Sequence, residues 1–226
     1  MSHSKSAFTL VEIMVAMTIG VALLAMITPF VTECLKTSLS VTNKLDIELS
    51  IRKITNELTD EARESNSFII YKSFFDQGHD IAGSFRSTGS GQTSADYRQR
   101  NGQFGNFCIL IFYGDDPTPS DAIPPPIERI VGYYLNTYTL AEEAELKKFD
   151  INIPANSQYQ PIEELIPAQN LSLNHEVVIK QAAGLISGYM FYNLSELSIM
   201  VNCMVIHDNP SKKSSGTYNF TISPRG

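Results

Sequence analysis

Residues 8–31 read FTLVEIMVAMTIGVALLAMITPFV, a run of 24 residues in which Glu12 is the single charged side chain. A helix of this length spans about 36 Å at about 1.5 Å per residue, more than the roughly 30 Å hydrocarbon core of a bilayer. The polar segment before it, residues 1–7, carries Lys5 and favours a cytoplasmic amino terminus. The run therefore predicts a membrane-spanning helix.

A removed secretory signal peptide is the first alternative for this run. Such a peptide has an apolar core of about 7–15 residues and ends at a cleavage site with a small-x-small pattern. The apolar run here is longer, and residues 29–35, which follow its most apolar part, contain no such site. An uncleaved signal anchor therefore fits the hydropathy better than a removed signal peptide.

Glu12 is the unusual residue of the apolar run. A carboxylate is costly in hydrocarbon, and charged residues found there usually have a partner or a function. One interpretation is a glutamate near the helix end that reaches the lipid headgroups. The other is a charge that waits for a partner from another subunit.

The motif AFTLVEI at residues 7–13 resembles the processing signal of type IV prepilins and type II secretion pseudopilins. The resemblance implies that a prepilin peptidase cleaves between Ala7 and Phe8 and N-methylates Phe8. It also implies that Glu12 is the assembly carboxylate, which neutralises the terminal amine at Phe8 of a neighbouring subunit. The family usually has glycine before the cleavage point, whereas this chain has the small residue Ala7.

Two residues weaken the predicted helix. Pro29 lacks a backbone N–H and crowds the carbonyl group of Ala25, and Gly20 adds a second weak point. In the family that the motif resembles, this part of the helix is commonly loosened inside filaments. We therefore expect the helix break to lie between Gly20 and Pro29.

The helix is predicted to continue beyond the membrane, because residues 32–65 contain neither glycine nor proline. Apolar residues recur in this stretch at spacings of four, three, four and four, namely at Ile47, Ile51, Ile54, Leu58 and Ala62. This spacing predicts an amphipathic helix whose apolar stripe packs on another element. A coiled coil is the alternative, but the heptad pattern is not sustained over three or four repeats.

Short apolar runs separated by turn residues follow the helix and predict β-strands. The predicted strands are residues 68–75, 107–113 and 127–137, two or three strands within 176–207 with breaks near 184–188 and 193–196, and residues 218–223. A short helix is predicted at residues 140–149 from its Glu and Lys content. Loops are predicted at residues 82–106, 114–126 and 150–174, and a hairpin loop at 209–216.

This order of elements predicts an α+β fold, with one long amino-terminal helix packed on an antiparallel β-sheet head. The predicted parts are a leader (1–7), a transmembrane and assembly helix (8–31), its amphipathic continuation (32–65) and a β-rich globular head (66–226). A β-rich head after such a helix resembles the J-type minor pseudopilins and related minor pilins.

Composition and cysteine content exclude some functions and leave others open. The net charge of −7 and the lack of a basic patch argue against binding to nucleic acid. Cys34, Cys108 and Cys203 form no Cys-x-x-Cys motif. A disulfide between Cys108 and Cys203 is one interpretation, and two buried thiols packed as small apolar residues is the other.

No catalytic or cofactor motif stands out. The histidines, at positions 3, 79, 175 and 207, have no metal-ligand spacing, and there is no phosphate-binding loop or nucleophile motif. Asp115, Asp116 and Asp121 are a weak Ca²⁺ candidate, because hard cations take oxygen ligands. Their spacing matches no EF-hand, and an Asp-rich turn around prolines is usually a solvated loop. We therefore predict no enzyme, no cofactor and no resident metal.

The sequence thus predicts a structural subunit, with a minor component favoured, of a type IV pilus-like or type II secretion pseudopilus filament. The partners that the resemblance implies are other pilin or pseudopilin subunits, prepilin peptidase, an inner-membrane assembly platform and membrane lipid. It also implies a bacterial inner-membrane protein with a periplasmic head that enters an extracytoplasmic filament. The alternative is an uncleaved membrane-anchored envelope protein whose head binds a ligand or partner.

Overall fold

The structure is a computed structural model that describes residues 9–74, 98–114, 125–137, 143–167, 175–209 and 212–225. The chain divides into two compact units, Met1–Asn43 and Lys44–Gly226. The elements in chain order are α1 (Leu10–Glu64), β1 (Ser67–Tyr71), β2 (Phe104–Gly105), β3 (Phe107–Tyr113), β4 (Ile127–Leu135), β5 (Ala144–Asn152), α2 (Ile162–Leu165), β6 (Glu176–Gly184), β7 (Phe191–Leu194), β8 (Ser198–Asn209) and β9 (Lys212–Ile222). This confirms the predicted α+β class.

The described part of the first unit is the amino-terminal portion of α1, which continues through both Gly20 and Pro29. Threonine hydroxyls within its apolar run donate to backbone carbonyl groups one turn back. Thr18 Oγ1 lies 2.9 Å from the carbonyl oxygen of Val15, and Thr28 Oγ1 lies 2.7 Å from that of Leu24. Each hydroxyl is satisfied inside the helix, so these polar residues do not need water.

The second unit contains an antiparallel sheet in which the described strands pair in the order β1-β3-β4-β5-β6-β8-β7-β2, and β9 pairs with β8. Strand β8 organises one end of this sheet. It pairs with β9 along eleven residue pairs, and on its other side it pairs with β7 and then with β6. The predicted strand 107–113 is confirmed, and the two or three strands predicted within 176–207 are three, β6, β7 and β8.

Both faces of the sheet are covered, which explains the almost fully apolar sequence of β3. Because side chains alternate along a strand, Cys108 and Leu110 belong to one buried cluster, whereas Phe107 and Ile109 belong to a second one. The first cluster includes residues of α1. The second cluster is rich in aromatic rings and includes Ile162 of α2.

The apolar stripe predicted on α1 packs on the sheet. Ile54, Leu58 and Ala62 are completely buried in the first cluster, with Ile47 beside them. The helix approaches β9 closely at Gly216, where an added Cβ atom would lie 2.7 Å from Cγ2 of Ile47. A Cβ atom at that position would force the Ile47 side chain or the helix to shift, so this close approach depends on glycine.

A cluster of charged residues joins α1 to strands β4 and β5. Arg129 binds both carboxylate oxygens of Asp150, at 2.8 and 2.7 Å, and its Nη2 atom also lies 3.1 Å from Oε1 of Glu61. Lys148 Nζ lies 2.8 Å from Oε1 of Glu57 and 3.0 Å from Oε1 of Glu61. The hydrogen bonds from Arg129 lower the pKa of Asp150.

Two predicted elements are wrong. Residues 144–149 of the predicted helix form strand β5, and residues 140–142 lie outside the described part of the chain. Pairing with β4 and β6 and burial of Leu146 and Phe149 override the helix propensity of the Glu and Lys residues. The predicted hairpin loop 209–216 is also wrong, because β8 continues to Asn209 and β9 begins at Lys212.

Other predicted boundaries shift by a few residues. Strand β1 ends at Tyr71 instead of residue 75, and β4 ends at Leu135 instead of residue 137. The predicted loop 150–174 contains the end of β5 and the short helix α2. Within the predicted loop 82–106, residues 82–97 lie outside the described part, and β2 occupies Phe104–Gly105.

Replacing Leu58 with alanine tests the packing of α1 on the sheet. Leu58 is fully buried, so Leu58→Ala should lower the free energy of unfolding by about 2–5 kcal/mol through lost burial and a residual cavity. Leu49→Ala is the matched control: that side chain is 63% exposed, and a surface change of this kind should stay within about 0.5 kcal/mol. Urea unfolding of the full chain in non-ionic detergent, followed by near-ultraviolet circular dichroism, measures both. Equal effects of the two variants would contradict the packing.

Asp150→Asn tests the charged cluster through its pH dependence. Because the folded-state pKa of Asp150 is lowered, its contribution to stability is present above the unfolded-state pKa and is lost as the pH falls through the folded-state value. The wild-type chain should therefore be more stable than the variant at pH 7, and the difference should shrink below about pH 4. Unfolding curves between pH 7 and pH 2 check this, with Asp60→Asn as the control for lost negative charge.

Candidate functional site

The first turn of α1 is closed by reciprocal hydrogen bonds between Thr9 and Glu12. Thr9 precedes Leu10, the first helical residue, and its hydroxyl oxygen accepts a hydrogen bond from the N–H of Glu12 at 3.3 Å. In return, Oε2 of Glu12 accepts bonds from the N–H and the hydroxyl of Thr9, at 2.8 and 2.9 Å. This arrangement is a capping box, which satisfies backbone N–H groups that a helix start otherwise leaves without partners.

The capping box holds the carboxylate of Glu12 at the amino end of the helix. A negative charge is favoured there, because the aligned peptide dipoles place partial positive charge at that end. The bonds from Thr9 use one oxygen, Oε2, and an ionised carboxylate can accept about four hydrogen bonds in all. The group can therefore keep its bonds to Thr9 and also accept a further donor, such as an amine.

The sequence analysis did not predict Thr9 as a partner of Glu12 and treated the carboxylate as a charge without a partner in its own chain. The signal was present, because Thr9-x-x-Glu12 before an apolar run has the spacing of a capping box. The structure therefore gives Glu12 one role within its own helix. Its predicted role in assembly concerns a second molecule and stays a prediction.

The other predicted site residues of the helix fall into two groups. Ala7 and Phe8, at the predicted cleavage point, lie outside the described residues. Gly20 and Pro29 lie inside α1, which is continuous across both. The loosening of the helix between them was expected for an assembled filament, and it also stays a prediction.

The weak Ca²⁺ candidate cannot be placed, because Asp115, Asp116 and Asp121 lie outside the described residues. Among the residues that the structure does describe, no group of three or more metal-ligating side chains comes together.

The disulfide that the sequence left open between Cys108 and Cys203 is not formed in the structure. Cys108 and Cys203 are free thiols, both fully buried in the first core cluster, and Cys34 is a free and exposed thiol on α1. Burial raises the pKa of Cys203 to about 12 and raises that of Cys108 further still. Both thiols are therefore protonated at neutral pH, in agreement with the interpretation as small apolar core residues.

A buried carboxylate at Glu163 forms a second polar cluster, which the sequence did not reveal. Its Oε1 atom accepts hydrogen bonds from Nε of Arg98 at 2.7 Å and from the hydroxyl of Tyr71 at 3.1 Å. Burial, reinforced by the nearby Glu163 charge, raises the pKa of Tyr71 well above its usual value, so the phenol stays protonated. These bonds tie α2 to β1 and to the segment that contains Arg98, which is a structural role.

The arrangement as a whole is a membrane-length amino-terminal helix, with a capped carboxylate in its first turn, followed by an antiparallel sheet. Of the described helices, α1 is long and apolar enough to cross a membrane, which fits membrane anchoring. Residues 2–28 match the family model of the prokaryotic N-terminal methylation motif. The chain therefore carries the signature of type IV pilins and pseudopilins, a structural and not an enzymatic family.

This match confirms the resemblance seen at residues 7–13 and covers the amino-terminal part of α1. The sheet lies outside the matched residues. No curated protein matches the chain, and no solved structure matches it. The class therefore rests on the amino-terminal motif.

Replacing Thr9 tests the capping box. Thr9→Ala removes the hydroxyl that accepts the N–H of Glu12, so amide hydrogen exchange should accelerate in the first turn of α1. Thr9→Ser keeps the hydroxyl and should exchange like the wild type. Nuclear magnetic resonance of the full chain in detergent micelles measures exchange at Glu12, whose N–H bonds to the Thr9 hydroxyl. Identical rates in the alanine variant and the wild type would rule out the capping role.

Proposed function

We propose that the chain is a structural subunit of a type IV pilus-like or type II secretion pseudopilus filament, and not an enzyme. The observation that carries this proposal is the methylation motif at residues 2–28, together with the carboxylate of Glu12 held at the start of α1. The motif implies a processed amino terminus, and Glu12 is the acidic residue available to it within the apolar run.

The chemistry of assembly follows from these two features. Cleavage between Ala7 and Phe8 creates a new amine, which is then N-methylated, at the edge of the apolar run. An amine and a glutamate are both ionised at pH 7 by their ordinary pKa values, and each is costly to bury alone. When the amine of one subunit lies beside Glu12 of its neighbour, each charge offsets the desolvation of the other. The capping box supports this pairing by holding the carboxylate in place beforehand.

The exposed surface of α1 also supports assembly through the helix. Large apolar side chains cover the run on every side, including Leu10, Met17, Leu24 and Phe30, all of them more than half exposed. Lipid covers such a surface before assembly, and neighbouring helices can cover it in a filament. The partners of this surface are other pilin or pseudopilin subunits, reached through prepilin peptidase and an inner-membrane assembly platform.

The same proposal assigns the topology and the parts of the chain. Residues 1–7 are the cytoplasmic leader, 8–31 cross the inner membrane, 32–65 continue the helix, and 66–226 form a periplasmic head. We favour a minor subunit, such as a J-type pseudopilin, because the head is large for a unit that must tile a surface. The sheet of nine described strands supports this choice.

Glu12→Ala, studied in cells that contain a prepilin peptidase and an assembly system, tests the proposed function. Mass spectrometry of the wild-type chain should find an N-methylated terminus at Phe8. The alanine variant should remain in the membrane fraction but be lost from sheared filaments, because the neighbouring amine has no carboxylate. Glu12→Asp keeps the charge and is the matched control. An intact Met1 terminus would support the alternative, an uncleaved envelope anchor whose head binds a ligand.

A further inference from the structure

One short segment joins the two ends of the described sheet, and we call residues 98–105 the closing segment. At its start, Arg98 forms a β-bridge with Tyr71 of β1. At its end, β2 pairs with β7, where Phe104 lies opposite Tyr192. Strands β1 and β2 are the two ends of the strand order, so the closing segment connects them.

A tight turn in the middle of the closing segment contains Asn101 and Gly102, the one Asn-Gly pair in the sequence. The N–H of Gln103 donates to the carbonyl oxygen of Arg100 at 2.9 Å, and Gly102 has a φ of 82°. A positive φ at the third position is typical of a type II turn and favours glycine. Asn101 is exposed, so water reaches its side chain.

Two groups of the Asn101–Gly102 pair are held by the residues around the turn between β7 and β8. The N–H of Gly102 donates to the carbonyl oxygen of Asn193 at 2.9 Å. The side-chain oxygen Oδ1 of Asn101 accepts the N–H of Ser195 at 2.7 Å. Asn193 is buried, and its Nδ2 donates to the carbonyl oxygen of Gln99 at 2.8 Å. Several hydrogen bonds therefore fix this turn in place.

We propose that Asn101 is a site of spontaneous deamidation and that the closing segment protects it while the chain is folded. In this reaction the backbone N–H of Gly102 loses its proton, and the nitrogen attacks Cγ of Asn101. The leaving amide group takes up one proton and departs as ammonia, and a five-membered succinimide is formed. Glycine after asparagine favours this attack, because it has no side chain to crowd the nitrogen. Water then opens the ring to aspartate or to isoaspartate.

The protection follows from the hydrogen bond between Gly102 and Asn193. The N–H of Gly102 must lose its proton before the nitrogen attacks, and loss of the same proton is the chemical step of amide hydrogen exchange. Both reactions therefore require the same local opening, which breaks the bond to the carbonyl group of Asn193. The fold should slow deamidation and hydrogen exchange at this amide by similar factors.

The two products differ in their effect on the closing segment. Aspartate at position 101 leaves the main chain unchanged, and its carboxylate still accepts the N–H of Ser195. Isoaspartate carries the main chain through the side-chain carbonyl carbon, which adds one atom to the chain path. The turn between Arg100 and Gln103 then no longer has the length that its hydrogen bond requires. Isoaspartate therefore releases the closing segment from β7.

Incubation of the full chain in non-ionic detergent at mildly alkaline pH tests the protection. Mass spectrometry of protease fragments follows the conversion of Asn101, with and without urea at a denaturing concentration. We expect conversion in the folded chain to be at least about tenfold slower than in urea. Nuclear magnetic resonance in the same detergent measures hydrogen exchange at the Gly102 amide, and the factor by which the fold slows it should match the factor for deamidation.

Three variants make the result specific. Asn193→Ala removes the side-chain bond to Gln99 and should speed conversion of Asn101 in the folded chain, because the closing segment opens more often, while the rate in urea stays unchanged. Asn219→Ala, at an exposed position of β9, is the matched control and should change neither rate. Asn101→Asp should keep slow exchange at Gly102, whereas the isoaspartate fraction of an aged sample should lose it.

Several outcomes would overturn the inference. Equal rates of conversion in the folded chain and in urea would show that the fold does not protect Asn101. The absence of conversion in urea would show that Asn101 is not a deamidation site. Slow deamidation together with fast exchange at Gly102 would show that the bond to Asn193 is not the cause. Slow exchange in the isoaspartate fraction would contradict the release of the closing segment.

Discussion

The structure depends on how one long helix buries its apolar surface. From its first residue to about residue 31, α1 carries apolar side chains all round, so this part needs an apolar environment on every side. From Ile47 onward the apolar residues narrow to one stripe, which the sheet covers. The same helix therefore has one part that needs apolar surroundings on every side and a later part that needs them on one side only. The sheet then has to offer α1 an apolar face, while its other face packs with α2 into the aromatic cluster.

Polar groups within this helix form hydrogen bonds to groups of the same helix. The hydroxyls of Thr18 and Thr28 donate to carbonyl groups of their own helix, and the carboxylate of Glu12 is bonded to Thr9. Such bonds lower the cost of keeping polar atoms in an apolar environment, since each atom already has a partner. They leave the net charge of Glu12 in place. Under the proposed function, the amine of a neighbouring subunit supplies the opposite charge.

The sequence predicted best those elements whose pattern reflects burial. Strand β3 was predicted at its observed bounds because both faces of it are buried, and the stripe on α1 was predicted because it has helical spacing. Strand β5 was missed because its Glu and Lys residues favour a helix, while its strand conformation depends on pairing with β4 and β6. The bonds of Lys148 to Glu57 and of Arg129 to Glu61 join residues that are 91 and 68 positions apart. Contacts of that kind, like the order of the strands, leave no local signal. The capping box did leave a local signal, the spacing of Thr9 and Glu12 before the apolar run.

A charge pair and an apolar helix surface can have different tasks in assembly. Apolar contacts of similar size discriminate weakly between two alignments of neighbouring helices. An ion pair in an apolar environment discriminates strongly, because the wrong alignment leaves both charges without a partner. Under the proposed function, Glu12 would therefore select the alignment, and the apolar surface of α1 would contribute contact area. A change to either one should affect assembly in a different way, which makes the two contributions separable by experiment.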